Sequence, residues 1–415
     1  MKNIGLIGLL FCGLVVSGQN LKALFDSSIQ AYEKKDYLTY LTLTKTLDSL
    51  RPSHPKFTYN LASALALNNQ NEAALLQLEK NILMNNSLNF EEDDDFKVIQ
   101  NSLQYLKLLE LKKSLNDSVS NAVKKLILSE KEIHPEGLVF LKNQNFGLAT
   151  SIRKRKIVSF DLQTGKCSDW LCEKNMLAVF SIKVDSKGEF LWVATAAIPE
   201  MENYTKALEG KAEILKVAIH SRKIVKRYSI DGFHVFGDLV VTKNDVVYIS
   251  DSNKPILYKI ENESLTEWLN LEKEAFNLQG ITLNDSEDKL FIADYLKGIL
   301  SISLKDKSNK WMQFPQGTTQ KGIDGLTFYN NSLIAIHNGV SPIRIIQYFL
   351  NIDQNHLDSF KILDHNRAQF KEPVLGTIKE NSFYFIGNSP WSAYSKSFEL
   401  DPLLYTNPIL FVNKL

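Results

Sequence analysis

The sequence predicts a mainly β protein, a six-bladed β-propeller preceded by a helical domain. Two observations predict it. The hydrophobic period changes near residue 130 from helical spacing to short β-rich stretches, and beyond that point a single phrase recurs six times. The chain of 415 residues is also too long for one ordinary core, which favours two domains. Balanced charge, 48 Lys+Arg against 47 Asp+Glu, gives no electrostatic footprint for nucleic acid or for an anionic membrane.

Residues 1–18 read as an export signal: a short basic start at Lys2, an apolar run from Ile4 to Val16, and the small-residue site Val16-Ser17-Gly18. The run is too short for a comfortable membrane span, so the expected location is periplasmic or secreted. Removal of the signal leaves Cys167 and Cys172, a pair free either to bridge or to remain as thiols.

Residues 19–130 read as a helical domain. Leu21, Leu24, Phe25, Ile29 and Tyr32 recur at helical spacing, and Pro52 and Pro55 interrupt the pattern. Tyr37 and Asn71 each open a helix, 34 positions apart (71 − 37), which is the tetratricopeptide period. A further helix is expected from Phe96 to about Leu115, with Phe96, Ile99, Leu103, Leu106 and Leu109 forming a stripe that packs on the propeller and caps the array. The acidic run Glu91-Glu92-Asp93-Asp94-Asp95 reads as a solvated loop before that helix.

Residues 131–415 read as the propeller. Asp238-Leu239-Val240-Val241 is followed by Val246-Val247-Tyr248-Ile249-Ser250-Asp251, and Gln279-Gly280-Ile281 by Leu290-Phe291-Ile292-Ala293-Asp294. Asp324-Gly325-Leu326 is followed by Leu333-Ile334-Ala335-Ile336-His337. Copies begin 40 to 60 positions apart, as in 279 − 238 = 41 and 324 − 279 = 45, which suits one four-stranded blade per copy. The basic run Arg153-Lys154-Arg155-Lys156 lacks interleaved aromatics and reads as a hairpin turn.

A propeller gathers the heads of its inner strands at one mouth of the channel. Glu136, Asp238, Gln279 and Asp324 stand at such heads, and converging carboxylate and amide oxygens suit Ca²⁺. The pairs Gln279-Gly280 and Asp324-Gly325 also suit a tight turn into a blade. His337, at the end of a strand, is a candidate proton shuttle, and Trp391 a candidate rim residue. No Gly-x-Ser-x-Gly elbow, phosphate-binding loop or dinucleotide fingerprint is present.

His134-Pro135-Glu136-Gly137-Leu138, the Gln279-Gly280 phrase and Gly322-Ile323-Asp324-Gly325-Leu326 resemble the senescence-marker-protein/gluconolactonase family and, more distantly, the paraoxonases. The resemblance implies a divalent ion in the channel and hydrolysis of a lactone or ester. It puts Glu136 and Asp324 at metal positions, with Asp324 also as base. The family's asparagines are replaced here by Gln279 and by Gly237 followed by Asp238. The resulting expectation is an exported hydrolase with Glu136, Asp238, Gln279 and Asp324 around Ca²⁺, acting on a small-molecule substrate. The alternative is a non-catalytic propeller that binds a ligand, with the helical repeats docking a protein partner.

Overall fold

The computed structural model describes residues 7–142 and 144–415, with side chains from residue 20 onward. Residues 1–6 and the side chains of the expected signal segment lie outside the described residues. Among the described residues no helix is long and apolar enough to cross a membrane.

Two compact units divide between Asn116 and Asp117, earlier than the 130/131 boundary expected from the change of period. The first unit contains helices α1 (Ile7–Glu33), α2 (Tyr37–Leu50), α3 (Pro55–Leu67), α4 (Asn71–Met84) and α5 (Leu103–Ser114). Helices α2 and α4 start at the two residues the 34-residue spacing selects. Asp36 caps α2 by accepting the Thr39 amide at 3.2 Å, and proline at the first position of α3 fits a helix start, where its missing N–H is not needed. Ala62, Ala64, Ala66 and Ala74 are buried, so these small side chains bring α3 and α4 close together.

The last helix is shorter than expected. Ser102 caps α5 by accepting the Tyr105 amide, and Phe96 belongs to a separate 3-10 turn, Asp94–Phe96. The apolar stripe consequently divides. Phe96 and Ile99 are buried in the helical unit's own core, Leu109 packs against it, and Leu103 and Leu106 are exposed. Nor is the acidic run simply solvated. Tyr59 donates to Asp93 at 2.5 Å, while Tyr32 and Ser63 donate to Asp95 at 3.0 and 2.5 Å. The loop is thereby tied to α1 and α3, and burial outweighs these bonds in raising the Asp95 pKa.

The second unit is a six-bladed propeller of antiparallel sheets. The inner strands are Leu138–Phe140, Ala178–Val184, Phe236–Val241, Leu278–Leu283, Ile323–Tyr329 and Thr377–Lys379. The second strand of each blade is almost wholly apolar and buried, as in Lys289–Asp294 and Ser332–His337, because both of its faces pack between neighbouring blades. Two segments assigned by period to the helical domain belong here instead. Val123–Ile127 pairs with Ile409–Lys414 and forms the outer strand of the sixth blade, and Val119–Ser120 pairs with Leu357–His365 at the edge of the fifth. Chain closure thus joins the first strands of this unit to its last. Val123–Ile127 reads poorly as a strand because only Leu126 is buried, and an outer strand has one face in water.

That closure gives a direct test. A fragment of residues 117–415 is expected to melt cooperatively, whereas residues 131–415, lacking the closing strand, should melt at least ~10 °C lower or fail to fold, since the open sixth blade exposes an unpaired edge and apolar surface. Equal melting temperatures by circular dichroism would refute the role of Val123–Ile127.

Cys167 and Cys172 are unbridged. Cys167 opens the strand Cys167–Leu171, and five residues of strand separate the pair by roughly 16 Å, beyond the ~7 Å limit for a disulfide. The basic run is more than a solvated turn. Arg155 donates to the carbonyls of Met176, Lys174 and Glu202, and Lys154 pairs with Glu132 and Glu202 at 2.8 and 2.6 Å.

Candidate functional site at the channel mouth

The heads of the inner strands converge as the propeller topology requires. A cavity of about 270 Å³ is lined by Glu136, Asp238, Gln279 and Asp324, the four residues selected from sequence as metal ligands. Glu372, from the segment before the sixth inner strand, lines it as well. Phe180, Val235, Tyr295, Leu375 and Trp391 supply most of the apolar wall, and among the described residues no basic side chain contributes to it.

Glu136 is held from both ends. The Thr150 hydroxyl accepts the Glu136 and Gly137 amides at 2.9 and 2.8 Å, fixing the strand head. Ser389 and Trp391, on the loop between the second and third strands of the sixth blade, both donate to Glu136 Oε1, at 3.0 and 2.5 Å. Trp391 is therefore a wall of the cavity, and its indole N–H points at a carboxyl group. His134 is wholly buried: Tyr394 Oη lies 2.9 Å from its Nδ1, and its Nε2 is 3.7 Å from Glu136 Oε1. Burial pushes the His134 pKa down to about 3, so a neutral ring stands beside the carboxyl.

Asp324 lies at the head of the fifth inner strand, where Asn338 donates to its Oδ2 at 2.5 Å. Gly280 is required by close approach: a Cβ there would stand 2.5 Å from the Leu326 nitrogen and 2.7 Å from the Asp324 carbonyl oxygen. The Gln279-Gly280 pair is thus explained by the close packing of two neighbouring inner strands, and no tight turn is needed. Gln279 donates from its amide to Asn277 Oδ1.

Asp238 has another role. It is 1% exposed, and its Oδ1 accepts Ser181 Oγ at 2.5 Å and the Leu239 amide at 2.9 Å. Its Oδ2 accepts the Ile281 amide at 3.1 Å, and Lys183 Nζ stands 3.4 Å from Oδ1. The carboxylate ties the inner strands of the second, third and fourth blades together, leaving it little capacity for a ligand. His337 is likewise structural. It is wholly buried away from the cavity, its Nδ1 is 3.0 Å from the Lys321 carbonyl and its Nε2 is 3.1 Å from Tyr348 Oη. Burial pushes its pKa down to about 3, so the ring is neutral at pH 7.

Three carboxyl groups remain in electrostatic contact. Burial, then the charges of Asp324 and Glu372, raise the Glu136 pKa well above the ordinary range. Burial raises Asp324 to about 6, with Asp238 adding to the effect, and burial with the Asp324 charge raises Glu372 to about 7. Glu372 escapes a reading of the sequence because it precedes its strand, outside the repeated phrase. Only closure of the sixth blade brings it to the axis.

Carboxylate and amide oxygens are the donor types a hard cation takes. The protein's hydrogen bonds fall on Glu136 Oε1 and Asp324 Oδ2, leaving Glu136 Oε2 and Asp324 Oδ1 available, with Gln279 and Asn338 amide groups on the same wall. Among the described residues no three acidic, histidine or cysteine side chains converge closely enough to hold a metal by themselves. An ion here would draw on amide and water oxygens as well.

The fold and site together define a six-bladed propeller with an acidic pocket on its axis. No protein-family model matches the sequence, and no curated protein matches it. Among solved structures the chain is similar to the Malassezia sympodialis allergen Mala s 1, at 10% identity over 71% of this chain and 96% of that one, with a TM-score of 0.53. It is also similar to virginiamycin B lyase from Staphylococcus aureus (13% identity, 70% of this chain, 98% of that one, TM-score 0.46). A PQQ-bound aldose sugar dehydrogenase from Streptomyces coelicolor shows 9% identity over 72% of this chain and 98% of that one, with a TM-score of 0.46. At these identities the likeness is one of fold.

Proposed function

We propose that the propeller is a hydrolase of lactones or small esters, with its active site at the channel mouth and Ca²⁺ as the best-matched ion. The observation that carries this reading is the set of three carboxyl groups, Glu136, Asp324 and Glu372, with raised pKa values around one cavity. Groups poised near neutrality in a cleft are what acid–base hydrolysis requires. Asp324, ionised at pH 7, takes a proton from water as the water oxygen bonds to the carbonyl carbon. The ester C–O bond then breaks, and protonated Glu372 gives its proton to the departing alkoxide. Glu136, Asp324 and the Gln279 amide would hold the ion, which when bound would polarise the carbonyl. The apolar run at Ile4–Val16 supports an exported enzyme, and the start positions of α2 and α4 support a tetratricopeptide-like helical domain.

A lactone panel assayed with Ca²⁺, Zn²⁺ and Mn²⁺ tests the proposal. Turnover is expected to fall at least 10²-fold in a Glu136→Gln, Asp324→Asn double variant. Turnover no higher in the wild-type protein than in that variant, with every ion, would sink the enzyme reading. A second reading, a ligand-binding propeller without catalysis, draws support from Gly237, which offers no side-chain donor, and from Asp238, which is committed to the fold. Binding of a lactone without turnover would favour it.

A further inference from the structure

A second cavity, of about 700 Å³, lies between the first and second blades. It is built from the turns that join the first and second strands of those blades, and from the Ala218–Arg222 turn. Glu136 stands at the opposite end of its inner strand, so this groove is distinct from the acidic pocket.

The groove has an apolar base and a basic rim. Leu141 and Trp170 are buried in its floor, and Phe146 and Phe190 form walls. Lys142, Lys187 and Arg222 stand at the rim, opposed by one acid, Glu189. Lys187 is 3.6 Å from Asp245, whereas Lys142 and Arg222 make no ion pair among the described residues. Unpaired cations around an apolar hollow are complementary to a molecule with one anionic end and one apolar body, and the volume falls in the range of small-molecule pockets.

We propose that this groove binds a small organic anion, a carboxylate or sulfonate on an aromatic or aliphatic body. Its apolar body lies against Trp170 and Phe190, and its anionic group lies between Lys142 and Arg222. The inference does not depend on hydrolysis at the channel mouth.

Isothermal titration of the full chain with 2-naphthoate, 2-naphthylmethanol and 2-naphthylmethylammonium tests it. Naphthoate is expected to bind at least tenfold more tightly than the neutral and cationic analogues. A Lys142→Glu, Arg222→Glu variant, altered only at exposed positions, should weaken naphthoate at least tenfold with an unchanged melting temperature. Asp324→Asn should leave naphthoate binding as it was. Absence of naphthoate binding, equal affinity for the three probes, or loss of binding in Asp324→Asn with retention in the charge-reversal variant would each overturn the proposal. So would capture of an acidic peptide by a protein that ignores naphthoate.

Discussion

Asp238→Ala is expected to lower the unfolding free energy by about 4 kcal/mol, more than any other single change at the channel mouth. The carboxylate takes the Ser181 hydroxyl and the Leu239 and Ile281 amides, all in the buried centre of the propeller. Removing it leaves those donors unsatisfied across three blades, and each buried unsatisfied group costs about 1–3 kcal/mol. Gln279→Ala should cost under ~1 kcal/mol, because the Gln279 amide bonds only to the nearby Asn277 side chain. Urea unfolding followed by tryptophan fluorescence measures both. A loss below ~1 kcal/mol in Asp238→Ala, accompanied by loss of Ca²⁺-dependent stabilisation, would return Asp238 to the ligand role read from its position at the strand head.

The second large effect is on pH dependence. Asp324 and Glu372 have folded-state pKa values of about 6 and 7, above their ordinary values of 3.8 and 4.5, and Glu136 shifts in the same direction. Between those limits the folded chain holds more protons than the unfolded chain, so stability falls as pH rises. Their favourable contribution is fully present below about pH 4 and is lost as pH passes through about 6 and 7. At 1.36 kcal/mol per unit, each of the two groups accounts for on the order of 3 kcal/mol. The wild-type unfolding midpoint should therefore drop between pH 5 and 8, and an Asp324→Asn, Glu372→Gln variant should flatten that slope. Ca²⁺ competes with these protons, so it should raise the midpoint more at pH 8 than at pH 5. Parallel pH curves for the two proteins would show that the carboxyl groups are not coupled as the geometry requires.

What could be read directly from the sequence is what depends on local pattern. Alternation and spacing located the six blades, because each blade repeats the same burial of its second strand between neighbours. The 34-residue step from Tyr37 to Asn71 located two helix starts. Glu136, Gln279 and Asp324 were legible because a propeller brings the heads of its inner strands to one axis, so position within a repeat fixes position in space.

Tertiary structure decided whatever depends on contacts between distant segments. The strand Val123–Ile127 joins the propeller because Ile409–Lys414 offers it an edge, and its own sparse apolar pattern does not announce that. Asp238 and Asp324 stand at similar strand heads, yet one is used up by the Ser181 hydroxyl and two backbone amides while the other accepts only from Asn338 among the described residues. Glu372 lies outside the repeated phrase and reaches the axis through the path of the sixth blade. Neighbouring residue types can be read one position at a time, but the donors that satisfy a buried carboxylate come from other blades, and only the closed ring determines which of them arrive.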